Sequence, residues 1–394
     1  MDCSKNQVVI SGIGAICSLG KSVNEMAVNL FAGEQYYIDR PTLFDSSLSA
    51  PVFEVNDFKT SNARTLKLAL HAVDEAYRSA FLDKHAVNKK IGVVVGTTVG
   101  CMFNSLSFYK DFRDKNNPDF KHVKSYLSSN LGNTIKERFG FNGPAMTVTT
   151  ACVSSSHAMG IGMEWIRNNV CDIVIAGGAD ELDLIPYTGF NSLQLLSQKP
   201  CKPFDAARNG LNLGEGAGFV VLESLKSAQE RNIDIKLKLC GYATFSDAYH
   251  LTSPEPQGKS LEKSIFKALE MAEICPENID YINAHGTGTK DNDKVEGSVI
   301  KRVFGENAHF SSTKALTGHT LGASGGIEAV ICCIGLSNNI FPLNARFETI
   351  DSEIGVAPLT KVYKKDSRYA LSTSLGFGGG NSALIIEKIT RPVS

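Results

Sequence analysis

One cysteine lies where a predicted strand gives way abruptly to a predicted helix. Residues 146–150 form a β-prone run, Cys152 and small residues follow, and the segment from His157 to Asn168 reads as helical. The thiolate is the nucleophilic form of cysteine, and a helix N-terminus can lower the pKa of a thiol. Free N–H groups at such a turn can also bind an oxyanion. The pattern predicts a cysteine nucleophile, although a cysteine considered alone is more often a small core residue.

Two histidine motifs follow further along the chain. His285 ends an apolar strand and is followed by Thr287 and Thr289 in a glycine-rich turn, and His319 lies in a second turn, before an apolar helix. A thiolate can accept an acyl group, and imidazole N–H groups can stabilise charge on a thioester oxygen. Each histidine alone is more often structural, but one cysteine with two such histidines predicts acyl-thioester chemistry.

These residues depend on strands and helices that alternate along the chain. Because the strands are apolar on both faces, the pattern predicts an α/β fold with mostly parallel sheets covered by helices. Reactive groups gather at the carboxyl ends of parallel strands, so we expect Cys152, His285 and His319 to converge. The predicted strands are 7–16, 91–96, 172–180, 217–223, 235–242, 279–286 and 383–388, and the predicted helices include 23–32, 62–81, 258–272 and 325–336.

The plan of the chain restarts at about Asp234. We therefore predict two similar halves, residues 1–233 with Cys152 and a surface excursion, and residues 234–394 with both histidines. No low-complexity linker separates them, so we expect one compact body.

Composition excludes several classes of function. The 394 residues are 43% hydrophobic and 21% charged, with a net charge of -1, so no basic excess suggests nucleic acid. No apolar run is long enough to span a bilayer. Ten scattered cysteines, and a start that lacks the apolar core of a signal peptide and passes straight into a strand, predict a reduced, cytoplasmic protein. A nicotinamide enzyme is not expected, because no strand leads into a well-spaced Gly-x-Gly-x-x-Gly motif with an acidic partner. No metal or cofactor is expected.

Five stretches, in order along the chain, share a pattern with one family. They are Thr150-Ala-Cys152 with Ser154-Ser-Ser-His157; Lys202-Pro-Phe-Asp205 with Arg208 and Leu213-Gly-Glu-Gly-Ala-Gly218; Asn283-Ala-His-Gly-Thr-Gly-Thr289 with Asp293 and Glu296; Lys314 with Gly318-His319, Gly322, Gly325 and Glu328; and Gly376-Phe377-Gly-Gly. The pattern resembles the β-ketoacyl-[acyl carrier protein] synthases, which are thiolase-like condensing enzymes. His319 favours the elongating Cys-His-His branch, because the initiating branch has asparagine there.

The resemblance implies a fold and a reaction. The expected fold is thiolase-like, with two duplicated halves, stacked mixed sheets and buried helices in α-β-α-β-α layers. Cys152 would receive the acyl group from an acyl carrier protein, and its N–H and that of Phe377 would form the oxyanion hole. His285 and His319 would hold the malonyl thioester and stabilise the enolate formed as CO2 leaves, and Lys314 and Glu296 would support the histidines.

The resemblance also implies binding roles for other residues. The pantetheine arm would be bound by Thr287 and Thr289, with Gly378 in the substrate site, and Phe377 could move as a gate. Docking of the acidic carrier would involve Lys202, Arg64 and Lys67.

Two departures from the family pattern leave the substrate and partner open. Gly288 and Gly380 replace the more usual small hydroxyl residues. The synthase could serve fatty-acid synthesis or a specialised aryl-polyene or pigment pathway, as a homodimer or with a chain-length partner.

The alternative of a non-catalytic chain-length partner is opposed by the retained Cys152, His285 and His319. A degradative thiolase would have a second cysteine in the C-terminal glycine motif, and residues 373–381 contain none.

Overall fold

The computed structural model describes residues 7–389, apart from residues 34, 57, 59–62, 86–87, 122 and 125–129. The first six residues, which bear on the expected absence of a signal peptide, lie outside this range.

Twelve strands are found in the described part of the chain. They are β1 Val8–Cys17, β2 Ile91–Gly96, β3 Ala145–Val148, β4 Ile173–Asp180, β5 Gly216–Ser224, β6 Leu237–Ser246, β7 Tyr281–Asn283, β8 Phe310–Ser311, β9 Ile340–Phe341, β10 Tyr363–Lys364, β11 Tyr369–Gly376 and β12 Gly380–Lys388. β9 and β10 form a separate two-stranded sheet.

The helices of the same described residues lie mainly between these strands. They are α1 Val23–Ala32, α2 Arg64–Ser79, α3 Leu82–His85, α4 Leu106–Arg113, α5 Leu131–Phe139, α6 Ser154–Arg167, α7 Leu184–Ser192, α8 Leu225–Glu230, α9 Lys259–Ala272, α10 Lys290–Phe304, α11 Lys314–Thr317 and α12 Ser324–Asn338.

The ten-stranded sheet repeats one plan twice. Its strand order is β3-β2-β4-β5-β1-β6-β12-β11-β7-β8. Matching β1 to β5 with β6, β7, β8, β11 and β12 gives the same order and the same strand directions in both halves. The halves meet at β1 and β6, through Val9 opposite Lys238 and Ile10 opposite Leu237. The predicted boundary at residue 233 lies between α8 and β6, and we propose that the plan restarts there.

Five layers stack in the predicted α-β-α-β-α order. α2 packs on the outside of the first half against β1, β4 and β5, and α9 packs on the outside of the second half against β6 and β12. Between the halves, α6 contacts β2 and β4, α12 contacts both β5 and β11, and the two helices touch each other. The central core therefore mixes residues from both halves, such as Met159, Ala329 and Leu384.

The expectation of mostly parallel strands is wrong in detail. Four pairings in the large sheet are parallel, namely β2–β3, β2–β4, β7–β8 and β7–β11, and the other five are antiparallel. β5 is antiparallel to both its neighbours, yet its first eight residues are buried. Burial on both faces, rather than strand direction, produces the continuous apolar run that suggested a parallel sheet.

Two helices near the site were not predicted from the sequence. α7 contains Pro186 and Gly189, which both disfavour helix interiors, and α10 begins with the polar run Lys290-Asp-Asn-Asp. Both helices are evident only in the folded chain, where tertiary contacts outweigh the low intrinsic helix propensity of these residues.

One stretch of described residues, Leu321–Asn338, has the length and composition of a membrane-crossing helix. It contains α12, and 89% of the stretch is buried inside the fold. Its apolar character therefore follows from its position in the central layer.

Replacing Gly14 by alanine should destabilise the fold, because β1 approaches α2 closely at this position. A Cβ atom at residue 14 would lie 2.1 Å from the carbonyl oxygen of Ala72. We expect Gly14→Ala to lower the free energy of unfolding by about 1–3 kcal/mol, measured by denaturant titration. The matched control is Gly189→Ala in α7, where a Cβ would meet nothing within 4 Å. Equal stability of Gly14→Ala and the unaltered chain would contradict this packing.

Candidate active site

The predicted strand, turn and helix around Cys152 are confirmed. β3 ends at Val148 and α6 begins at Ser154. Ala151 has a positive φ of 52°, and its carbonyl oxygen accepts hydrogen bonds from Thr98 Oγ1 and from the Ser154 backbone N–H, both at 3.1 Å. These bonds fix the turn, and Cys152 is 5% exposed within it.

The structure brings Cys152, His285 and His319 together. His319 follows the short helix α11, and its Nε2 lies 3.0 Å from Cys152 Sγ. His285 lies two residues beyond β7, and its ring centre is 5.2 Å from that of His319, at an interplanar angle of 87°. Both histidines are buried. The predicted convergence of one thiol and two imidazoles is therefore confirmed.

A buried lysine orients one of the two imidazoles. Lys314 is 1% exposed, pairs with Glu328, and has its Nζ 3.2 Å from Nδ1 of His285. An ammonium group has only donors, so Nδ1 of His285 is the acceptor and the ring proton is on Nε2. His285 thus presents an N–H donor to the cavity.

Both histidines are neutral at neutral pH. Burial, followed by the positive charge of Lys314, lowers the pKa of His285 and of His319 well below their usual range. A neutral imidazole can accept a proton at one nitrogen while it donates one from the other.

The thiol of Cys152 is protonated at neutral pH. Burial raises its pKa to about 12, and the Lys314 ammonium and the N–H of Phe377 offset this only in part. The sequence suggested that a helix N-terminus would lower this pKa, and burial outweighs that effect. A base must therefore remove the proton, and Nε2 of His319 is in position to do so.

Two glutamates near the histidines have different roles. Glu328, within α12, is the partner of Lys314, and burial raises its pKa to about 7. Glu296 instead accepts the backbone N–H groups of His285 and Gly286, each at 2.7 Å. Glu296 therefore holds the backbone of the histidine turn, and Glu328 neutralises Lys314.

Asp180 is a positioning residue that was not singled out from the sequence. From the end of β4, its carboxylate accepts the N–H of Gly322 at 2.6 Å and the N–H groups of Thr98 and Val99. It thereby links the turn after His319 to the loop that supports Ala151. The only signal for it in the sequence is an acid directly after an apolar strand.

A cavity of about 550 Å³ leads to the thiol. Cys152 and the two histidines line it together with Thr287, Thr289 and Phe377. The Phe377 ring lies 5.3 Å from that of Phe190, which in turn lies 6.5 Å from the His319 ring.

Gly378 does not line this cavity. It is exposed, and its N–H donates to the carbonyl oxygen of Leu251 at 2.8 Å. Its predicted direct part in substrate binding has no support in this geometry.

No described group of three or more His, Cys, Asp and Glu side chains is arranged to hold a metal ion.

Comparison with known families agrees with this constellation. The β-ketoacyl synthase N-terminal domain matches residues 50–228, and the C-terminal domain of the same family matches residues 238–348. The chain belongs to the β-ketoacyl synthase family. It is accordingly an acyltransferase with the thiolase-like fold of that family.

Relatives of this β-ketoacyl synthase cover nearly its whole length. A 3-oxoacyl-[acyl-carrier-protein] synthase 2 of Staphylococcus aureus is 33% identical over 97% of this chain and 98% of its own. The ishigamide ketosynthase/chain length factor structure has a TM-score of 0.91 at 29% identity and covers 98% of this chain and 100% of its own. A type II polyketide ketosynthase, solved with its acyl-carrier protein and bound to the hexaketide, has a TM-score of 0.90 at 27% identity, with the same coverage.

The predicted docking role is wrong for Arg64. Its side chain is 8% exposed, and Nε donates to Glu215 Oε2 at 2.7 Å, so the guanidinium is part of the interior of this synthase. Lys67 is half-buried on α2. Lys202 is partly exposed and pairs with the exposed Glu348 at 2.8 Å.

Removing the charge of Lys314 should raise the pKa of both His285 and His319, because that charge is one cause of their lowered pKa values. In Lys314→Met we expect their titration to move toward the ordinary range of histidine, followed by NMR of protein labelled at the histidine rings. His285→Gln and His319→Gln assign the signals.

Glu328→Gln is the matched control for this titration. It retains the ammonium of Lys314 and removes the opposing charge, so neither histidine pKa should rise. An unchanged titration in Lys314→Met would show that burial alone depresses these pKa values.

Proposed function

We propose that this β-ketoacyl synthase is a 3-oxoacyl-[acyl carrier protein] synthase, which joins malonyl-carrier to an acyl group held on Cys152. The observation that supports it most is the 3.0 Å approach of His319 Nε2 to Cys152 Sγ, beside His285, at the base of one cavity. A thiol, a proton acceptor and a fixed N–H donor are the groups that a decarboxylative Claisen condensation requires.

Acyl transfer to the enzyme is the first half-reaction. His319 takes the thiol proton as Cys152 attacks the acyl thioester, and the N–H groups of Cys152 and Phe377 stabilise the oxyanion. The carrier thiolate leaves and takes up the proton. Burial and Lys314 both disfavour a charged His319, so the proton does not stay on the imidazole.

Condensation is the second half-reaction. Ser324 Oγ can accept from or donate to Nδ1 of His319, so His319 can carry its ring proton on Nε2 once the proton of acylation has left with the carrier. The Nε2–H groups of His285 and His319 then bind the thioester oxygen of the malonyl group and stabilise the enolate that forms as CO2 leaves. The enolate carbon attacks the acyl thioester, a carbon–carbon bond forms, and the bond to Cys152 Sγ breaks. The released thiolate then takes up a proton from solvent, so each condensation consumes one proton and returns Cys152 to its thiol form.

The substrate arm would be the phosphopantetheine of an acyl carrier protein. Thr287 and Thr289, whose hydroxyls are 2.8 Å apart on the cavity wall, suit the amides of that arm. Phe377 would act as the gate between the half-reactions, because its backbone N–H faces the sulfur of Cys152 while its ring packs against Phe190 on the cavity wall. Lys202 stays a candidate for docking the carrier protein.

The partner would be a second copy of this chain or a chain-length factor. The likeness to the ishigamide ketosynthase/chain length factor supports the second arrangement. Both fatty-acid synthesis and a specialised polyene or pigment pathway fit this chemistry. We place the reaction in the cytoplasm, where a cysteine nucleophile stays reduced.

Intact-protein mass spectrometry should detect an acyl group on Cys152. We expect a mass gain after incubation with acyl carrier proteins that bear short, medium or long saturated chains, or polyenoyl or aryl chains. The gain should be absent in Cys152→Ala, because that variant lacks the sulfur. No gain with any donor would favour a non-catalytic chain-length partner, and the preferred chain would indicate the pathway.

Separate assays of the half-reactions should assign the histidines. Cys152→Gln should abolish condensation and retain malonyl decarboxylation, because the amide imitates the acyl-enzyme. His285→Ala or His319→Ala should lower decarboxylation by 10²-fold or more, on the order of the loss of an oxyanion donor. Decarboxylation is measured as CO2 release, and acylation by mass spectrometry. Unimpaired decarboxylation would remove that histidine from the mechanism.

A further inference from the structure

One wall of the cavity runs from the buried reaction centre to solvent within six residues. His285 is 2% exposed and Thr287 is 5% exposed, whereas Thr289 is half-buried and Lys290 is exposed. All four residues line the same cavity. Depth in the cavity therefore decreases steadily along this segment.

The chemistry of the wall changes with depth. An imidazole N–H lies at the bottom, two hydroxyls follow, and an ammonium group lies at the mouth. A phosphopantetheine thioester has the same order of groups, which are the reacting thioester, two amides and then a phosphate. Each group of the arm thus meets a side chain of suitable chemistry when the thioester lies beside His285.

Lys290 differs from the other side chains that line the cavity. Among the described lining residues it is the only lysine or arginine, and it forms no ion pair with any residue that the structure describes. Its carbonyl oxygen accepts a hydrogen bond from Arg208 at 3.1 Å, and Arg208 is fixed in turn by Asp351. The backbone of Lys290 is therefore held, while its cationic end is available.

Two acidic residues, Asp247 and Asp291, also line the cavity, and they differ in exposure and in hydrogen bonding. Asp247 accepts hydrogen bonds from Asn381 Nδ2 at 2.9 Å and from the N–H of Glu255 at 3.1 Å. Asp291 is exposed next to Lys290 and would weaken anion binding at the mouth. The affinity of the cavity mouth for an anion therefore depends on the attraction of Lys290 and the repulsion of Asp291.

We propose that Lys290 binds the phosphate at the outer end of the phosphopantetheine arm. The proposal rests on the proposed function for the identity of the arm, and on the cavity wall for the position of the phosphate. The phosphodiester of a carrier protein and the phosphates of coenzyme A offer the same chemistry. Donors that differ in this one group can therefore separate the contribution of Lys290 from all other contacts.

The test compares two small acyl donors of equal chain length, an acyl-pantetheine and an acyl-4′-phosphopantetheine. Acylation of Cys152 is followed by mass spectrometry, and binding of unacylated 4′-phosphopantetheine is measured by calorimetry. In Lys290→Met we expect the KM for the phosphorylated donor to rise roughly fivefold, as for a solvent-exposed ion pair. The KM for acyl-pantetheine and both kcat values should be unchanged.

Two further variants test whether the effect on KM is specific to the charge at the cavity mouth. Lys294→Met is the matched control, because Lys294 lies one turn further along α10 and pairs with Glu353 at 3.0 Å. It should change neither KM. Asp291→Asn should lower the KM for the phosphorylated donor only.

The outcomes separate this inference from the proposed function. Equal effects of Lys290→Met on both donors, or no effect on either, would overturn the role of Lys290 while acylation still occurs. No acylation of the unaltered protein by any donor would overturn the proposed function, and unaltered phosphopantetheine binding in Lys290→Met would then overturn the inference separately. A larger effect with acyl-coenzyme A than with the acyl-carrier protein would identify coenzyme A as the source of the phosphate.

Discussion

The buried ammonium group of Lys314 is the interaction on which the rest of the site depends. It lies between the carboxylate of Glu328 and Nδ1 of His285, with almost no exposure to solvent. It fixes the tautomer of His285, adds to the burial that keeps both histidines neutral, and partly offsets the effect of burial on the pKa of the thiol. Removing one member of such a buried pair leaves an uncompensated charge, at a cost of about 3–5 kcal/mol. Catalytic geometry and stability are therefore linked at one side chain.

The duplicated fold explains why the reacting groups come from distant parts of the chain. Cys152 follows β3 and His319 follows β8, and these are equivalent strands in the two halves. The central helices begin close to both turns, with α6 starting at Ser154 and α12 at Ser324, whose Oγ lies 3.0 Å from His319 Nδ1. The thiol from one half thus faces an imidazole from the other, and Asp180 joins their supporting loops.

The sequence located the thiol and the two imidazoles of the candidate site better than the residues that support them. Cys152, His285 and His319 follow apolar strands or precede apolar helices, so local pattern places all three in turns, and their combination singles them out. Arg64 shows the limit of this reasoning, because a charged residue at the start of an amphipathic helix resembles a surface residue, and only its pairing with Glu215, far along the chain, buries it. Glu328 was likewise recognised as part of a motif but not as the partner of Lys314, because that pairing depends on how α12 packs.

The central helix layer has a consequence for synthesis of the protein. Part of the inner face of the first half, mainly along β5, is covered by α12 from the second half, so the first half cannot bury that part while it emerges alone from the ribosome. At a translation rate of about 5–20 residues per second, the second half takes roughly ten to thirty seconds to follow. During that interval the newly made half exposes a broad apolar surface, which makes the nascent chain a natural client for chaperones.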